Sequence, residues 1–162
     1  MIDVFGNDID AKQVVRFGVE LPGYYATKSG KIFSTKTNKY ISMFPGKNGY
    51  LSCSLSLPVD IFGDHSYFKA NFKRVTFNLQ QQVHRLIAET FIPIDDNPPI
   101  PIEDWDKTPE TAKQFIRESA NVDHIIPDLS NNSVSNLRWV TPKQNNPHRK
   151  KQLSVNSNEK QN

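Results

Sequence analysis

The sequence predicts an α+β protein in which a small antiparallel β-meander precedes a strand-loop-strand-helix unit. Three observations carry this. Residues 24 to 57 alternate short β-prone runs with turn clusters (YYAT, KSG, KIFST, KTN, KYISMF, PGKNG, YLSCSLSL), the pattern of hairpin-connected strands. Val83, Leu86, Ile87 and Phe91 recur at i, i+3, i+4 and i+8, the stripe of an amphipathic helix. Leu137, Trp139 and Val140 then form a short apolar strand running into Thr141-Pro142-Lys143-Gln144, where Thr as N-cap, Pro at the first helical position and Gln three residues after the cap make a capping box.

The remaining elements follow in order. Phe72 to Leu79 reads as one more strand. The helix from Val83 ends near Pro93, and residues 93 to 107, with Pro93, Pro98, Pro99 and Pro101 among several acids, read as an irregular surface connection. Thr108-Pro109-Glu110 starts a second helix with Ala112, Phe115, Ile116 and Ala120 on one face. Asp128 to Asn136 is a turn-rich loop that returns the chain to the apolar strand. Pro147 sits at the sixth helical position after the Thr141 cap, so the final helix should last about one turn or kink. Beyond His148 the chain is polar and without apolar periodicity, which predicts a disordered tail over 151–162.

Length and charge bound the function. A chain of 162 residues buries one moderate core, or one core with a small appended module. The net charge of +3 is unevenly placed, with +4 over residues 1–82, −4 over 83–120 and +3 over 121–162. Cys53 is the single cysteine, which excludes an intrachain disulfide and a multi-cysteine zinc site. No run of 18 apolar residues and no signal-like segment is present, so a cytoplasmic protein without membrane contact is expected.

The chemistry concentrates after Val122. Asp123 offers oxygen to a hard divalent cation, and His124, with an ordinary pKa of about 6.5, can take a proton from water near neutral pH. Asn145 falls in the first helical turn, where its side-chain oxygen can meet a metal held by Asp123. Adjacent strand residues face opposite sides, so Asp123 and His124 can share a site only at a strand end. Pro127 is consistent with such a break. No acidic residue lies between Glu20 and Asp60, while Lys28, Lys31, Lys36, Lys39 and Lys47 sit in or beside the turns with Tyr24, Tyr25, Tyr40 and Tyr50 between them. That arrangement suits a phosphate backbone; the alternative is that the lysines only solubilise turns and edge strands. His84 is either a structural histidine or, with Arg85, a DNA contact. His65 reads as a surface residue. His148 and Arg149 in the tail can touch phosphate or simply be solvated.

The stretch VDHIIPDLSNNSVSNLRWVTPKQNN resembles the ββα-metal motif of HNH endonucleases. With the upstream VHRLIAETF it is similar to the HNH homing nucleases of bacteriophages. The likeness is close over residues 83–92 and 122–146 and looser over 21–57, where PGYYATKSGKI resembles the small DNA-binding module that precedes many such domains. The resemblance implies that Asp123 and Asn145 are metal ligands, that His124 is the general base and that Asn136 braces the loop. It implies one divalent ion per site, Mg²⁺ or Mn²⁺, and double-stranded DNA as partner, contacted through Lys28, Lys31, Lys36, Lys39, Lys47, His84, Arg85, Arg138, Lys143, His148 and Arg149. The expected organisation is a basic β-rich DNA-binding module over 1–78, a nuclease domain over 79–150 with an acidic, proline-rich insertion at 93–120, and a tail. A monomer should nick and a homodimer cut both strands, in the cytoplasm of the infected host if the chain is phage-encoded. The rivals are a DNA-binding protein whose nuclease motif has decayed and a structural protein of the phage particle.

Overall fold

The computed structural model describes residues 10–63 and 75–145. Strands β1 (Ala11–Arg16), β2 (Val19–Thr27), β3 (Ile32–Ser34) and β4 (Lys39–Tyr40) form one antiparallel sheet in sequence order. The turn between β1 and β2 is two residues long, Phe17 at φ 53° and Gly18 at φ 74°. Two consecutive positive φ values match the right-handed twist of the flanking strands. Phe17 carries a side chain in this left-handed region, and it is held there by its own N–H on Glu89 Oε2 (2.9 Å) and by the Arg16 guanidinium over its ring.

A second sheet joins β5 (Phe44–Pro45), β6 (Leu51–Pro58) and β7 (Thr76–Gln82). In β6 and β7 the period of two is carried through: Cys53, Leu55, Leu57 and Leu79 face the core, while Ser54, Ser56, Asn78 and Gln80 face outward. Helix α1 (Val83–Phe91) follows β7 directly and buries Val83, His84, Leu86, Ile87, Ala88 and Thr90. Helices α2 (Ile102–Lys107) and α3 (Glu110–Ser119) come next, and β8 (Asn121–His124) pairs with β9 (Leu137–Val140) in a two-stranded sheet. A single 3₁₀ turn, Val134–Asn136, leads into β9.

One hydrophobic cluster takes in Val14, Leu21 and Ile32 from the first sheet, Leu55 and Leu79 from the second, Leu86 and Ile87 from α1, and Val122 and Leu137 from the β8–β9 hairpin. The core therefore runs without interruption past residue 78, where a boundary between two modules was expected.

Several elements depart from the sequence reading. β1 lies ahead of the expected meander, and β2 starts at Val19 and not at Tyr24. AKQVVR gives little local strand signal; it pairs with β2 across the Phe17-Gly18 turn and is tied to α1 by Val15 N–H on Thr90 Oγ1 (3.0 Å) and an Arg16–Glu89 ion pair. YLSCSLSL does not close the first sheet but pairs with β7, from Ser52↔Gln82 to Pro58↔Thr76. The strand expected over Phe72–Leu79 runs over Thr76–Gln82, and residues 72–74 lie outside the described ones, as does His65. Residues 93–107 are not wholly irregular: α2 forms there because Trp105 is buried, with Lys113 and Arg117 over its ring. α3 forms with Pro109 at its N-cap, but of the face expected to pack only Ala120, at the helix end, is buried; Ile116 is half-buried, Ala112 exposed and Phe115 69% exposed.

Candidate metal and nuclease centre

β8 ends at His124, the condition under which neighbouring strand residues can serve one site. Directly opposed residues of an antiparallel pair share a face. Asp123 is opposed by Arg138 and His124 by Leu137, so the two side chains leave the hairpin on opposite faces.

On the Asp123 face, both Arg138 Nη2 (3.1 Å) and Nε (3.3 Å) donate to Asp123 Oδ2. The carboxylate is buried while the arginine is half in solvent. Arg138 was expected on DNA; its guanidinium is turned to the candidate metal ligand instead. Asn145 lies in the turn after β9, half-buried, with its N–H on the Thr141 carbonyl (3.0 Å). The capping box forms as read, with Thr141 N–H on Gln144 Oε1 (2.7 Å) and Gln144 N–H on Thr141 Oγ1 (3.3 Å). The described helix signal after Pro142 is this one turn. Lys143 is exposed beside it.

On the other face, His124 is 5% exposed. Its ring stacks on Tyr50 at 5.7 Å between centroids and meets the His84 ring edge-on at 5.2 Å; Tyr50 also lies 4.7 Å from His84. His124 Nε2 is 3.0 Å from Asn132 Oδ1, and His124 Nδ1 is buried with no hydrogen-bond partner. The return loop is pinned by Asn136, whose Oδ1 accepts from Ile126 N–H (2.8 Å) and whose amide donates to the Asn131 carbonyl (3.0 Å). Asp128 caps the loop turn through the Ser130 N–H and hydroxyl, bonds that hold its carboxyl below the usual range.

The N-terminal residues reach this loop directly. The Lys28 carbonyl accepts from Val134 N–H (2.9 Å), and a Cβ on Gly30 (φ +87°) would stand 2.6 Å from the carbonyl carbon and oxygen of Asn132. Only glycine fits there.

The expected DNA contacts scatter. Lys28, Lys31, Lys36, Lys39 and Lys47 are exposed; Lys28 pairs with Asp10, and Lys31 lies 5.5 Å from the Tyr40 ring. Arg85 is half-buried and donates to Gln82 Oε1 and Asn121 Oδ1. His84 is not a surface contact: it is 3% exposed, and its Nδ1 has no partner. His148 and Arg149 lie outside the described residues. Sequence reasoning missed Tyr50, Asn132 and Gly30, which converge on His124 only through the fold. It also missed the outward face of β6–β7, where Ser54, Ser56, Thr76, Asn78 and Gln80 form an exposed row without charge or apolar side chain; its signal was the strict alternation of serine and apolar residues in SCSLSL.

A cavity of about 660 Å³ lies between the Phe17-Gly18 turn, α1 and α3, lined by Arg16, Arg85, Glu89, Arg117 and Trp139 among others, and away from His124. Among the described residues no three His, Cys, Asp or Glu side chains converge as a metal set. No helix of the described residues is long and apolar enough to cross a membrane. The buried Cys53 thiol is pushed up to about 12 by burial, which leaves it unreactive.

The fold matches that of an HNH homing endonuclease. No family model matches the sequence. It is 30% identical over 125 residues to an uncharacterized HNH endonuclease of Acanthamoeba polyphaga mimivirus, covering 77% of this chain and 26% of that protein. It is also similar in structure to the HNH homing endonuclease I-HmuI, solved in work on its DNA binding and cleavage, with a TM-score of 0.54, 25% identity, and coverage of 94% of this chain and 65% of that one. The likeness to HNH endonucleases runs over most of this chain, which spans about a quarter of its viral relative.

Burial, the neighbouring His124 and the Arg85 and Arg16 charges push the His84 imidazole down to about 3. Above the ordinary value of about 6.5 both folded and unfolded chains hold it neutral, so it contributes nothing to pH dependence. Below that value only the unfolded chain takes the proton, and stability should fall by up to about 1.4 kcal/mol per pH unit until the folded value is reached. Urea denaturation between pH 7 and pH 5 should show this decline in the unmodified protein and a flatter one in His84→Phe. Equal slopes would mean that His84 is protonated in the folded state.

Proposed function

We propose that this chain is a metal-dependent DNA endonuclease that hydrolyses phosphodiester bonds at Asp123 and His124. The observation that carries the reading is the buried Asp123-His124 pair at the end of β8, with His124 held against a return loop that Asn136 pins.

The donor set fits a hard cation. The carboxylate of Asp123 and the carboxamide of Asn145 are oxygen ligands, and Mg²⁺ or Mn²⁺ takes few of these from protein and fills its octahedron with water and substrate oxygens. A divalent ion bound there supplies positive charge to the phosphate and to the departing 3′ oxygen. Asp123 already carries the Arg138 cation on Oδ2, so the ion must share that carboxylate or displace the guanidinium. His124 takes the proton of the attacking water. Its Nδ1 has less than 1 Å² in contact with solvent, so water reaches that nitrogen only when the surroundings open. Free enzymes commonly close catalytic hydrogen bonds only in the substrate complex.

The DNA is held by two kinds of surface. The exposed lysines of the first sheet and its turns supply phosphate contacts, which position without reading sequence. The row Ser54, Ser56, Asn78, Gln80 stands on a two-stranded ribbon of the size a major groove admits, and carboxamides and hydroxyls are the groups that hydrogen-bond base edges. Two copies of the chain are needed to cut both strands in one encounter, since each carries one such centre. The rival is a DNA-binding protein that has lost cleavage, which the Arg138 contact to Asp123 favours.

Supercoiled plasmid incubated with Mg²⁺ should be nicked, and His124→Ala should lower the rate by at least about 10²-fold with DNA affinity nearly unchanged. Binding without cleavage at any divalent ion concentration would select the rival. Asn78→Ala with Gln80→Ala should reduce discrimination between target and random duplex, with the slope of log affinity against log salt unaltered. A reduced slope with discrimination intact would make that face a phosphate-contacting surface.

A further inference from the structure

We propose that Asn132 is a positioning residue that fixes the tautomer of His124, and that the Gly30 turn of the N-terminal sheet holds Asn132 in place. The inference deepens the nuclease reading, since it names which ring nitrogen of His124 faces the water.

Asn132 is 3% exposed and His124 5% exposed, and Asn132 Oδ1 lies 3.0 Å from His124 Nε2. The Asn132 amide nitrogen lies 3.5 Å from the Ser130 carbonyl. Turning the amide over would set its oxygen against that carbonyl oxygen and leave its NH₂ facing the ring, so the oxygen is the atom that faces His124. A carboxamide oxygen only accepts, so Nε2 must carry the hydrogen.

The other nitrogen agrees. Nδ1 is buried and has neither donor nor acceptor opposite it. A hydrogen placed on Nδ1 would be a buried, unsatisfied donor, while Nε2 would confront the amide oxygen lone pair to lone pair. The Nε2–H form avoids the lone-pair clash and leaves on Nδ1 only an unpaired acceptor. The lone pair that takes a proton from water is then on Nδ1, and the Tyr50 and His84 rings restrain the imidazole plane around it.

Asn132 is set from the opposite end of the sequence. Gly30 is buried with φ +87°, its missing Cβ leaves room for the Asn132 carbonyl group, and the Lys28 carbonyl bonds Val134 N–H two residues further on. The turn that begins with a lysine thus abuts the backbone that aims Asn132 at His124, which makes the N-terminal sheet part of the site.

The test reads the tautomer itself, without DNA or metal. Two-bond ¹⁵N–¹H correlations of histidine in the full chain, at about pH 8.5 where an ordinary imidazole is neutral, should show His124 as Nε2–H. In Asn132→Leu, which removes the acceptor, and in Gly30→Ala, which displaces it, the Nδ1–H form should appear; Asn132→Asp should keep Nε2–H. In plasmid nicking, Asn132→Leu should lower kcat by about 10- to 100-fold with KM within about twofold, and Asn132→Asp should recover most of it. Nδ1–H in the unmodified protein overturns the proposal with no variant needed, and so does an unchanged tautomer in Asn132→Leu. If the unmodified protein shows Nε2–H yet does not nick, the nuclease reading fails while the tautomer assignment stands.

Discussion

The burial of α1 is the constraint on which the rest depends. Val83, Leu86, Ile87 and Ala88 are fully buried in a helix of nine residues, so it must be covered on several sides. β1 and β2 cover one side, β6 and β7 another, and the β8–β9 hairpin a third. Polar contacts add direction to this apolar packing: Thr90 joins β1, the Glu89 carboxylate joins Arg16 and the Phe17 N–H, and Trp139 Nε1 donates to the Ile92 carbonyl (2.7 Å) at the helix end. His84, in the first turn of the same helix, is thereby brought against His124. A shift of α1 would move the wall of the site and the first sheet together.

The site inherits its character from that packing. Asp123 and His124 are adjacent in sequence yet lie on opposite faces of a two-stranded sheet, so their environments differ sharply. The buried Asp123 carboxylate meets a guanidinium that is half in solvent. His124 meets two rings and an amide in the interior. Under the proposed mechanism, the neutral partners around His124 and the cation beside Asp123 would separate proton transfer from charge neutralisation within two residues.

Much of this was legible in the chain, and what was not has a physical reason. The α1 stripe, the Thr141-Gln144 box and the apolar strand before it are set by local periodicity and capping, and they form where the sequence puts them. β1 was not visible, because its strand is set by pairing with β2 and packing on α1, and AKQVVR carries no alternation of its own. The burial of Trp105 and the exposure of Phe115 were equally hidden, since an amphipathic pattern does not say whether a partner surface exists. At the site, Asp123 and His124 could be singled out by order and spacing, and Asn136 through the resemblance to HNH endonucleases. The roles of Tyr50, Gly30 and Asn132 could not, because only the tertiary fold brings Tyr50 and Asn132 to His124 and Gly30 to Asn132. Arg138 looked like a phosphate contact because a guanidinium is equally suited to phosphate and to a buried carboxylate.

The claim at the centre of this account is that one divalent ion is held by Asp123 and Asn145 beside His124. Substoichiometric Mn²⁺ added to ¹⁵N-labelled protein measures it most directly, because the paramagnetic ion broadens amide signals close to where it binds. The account predicts broadening confined to residues around 121–126 and 138–145, abolished in Asp123→Ala. Broadening centred elsewhere, or unchanged in Asp123→Ala, would contradict it.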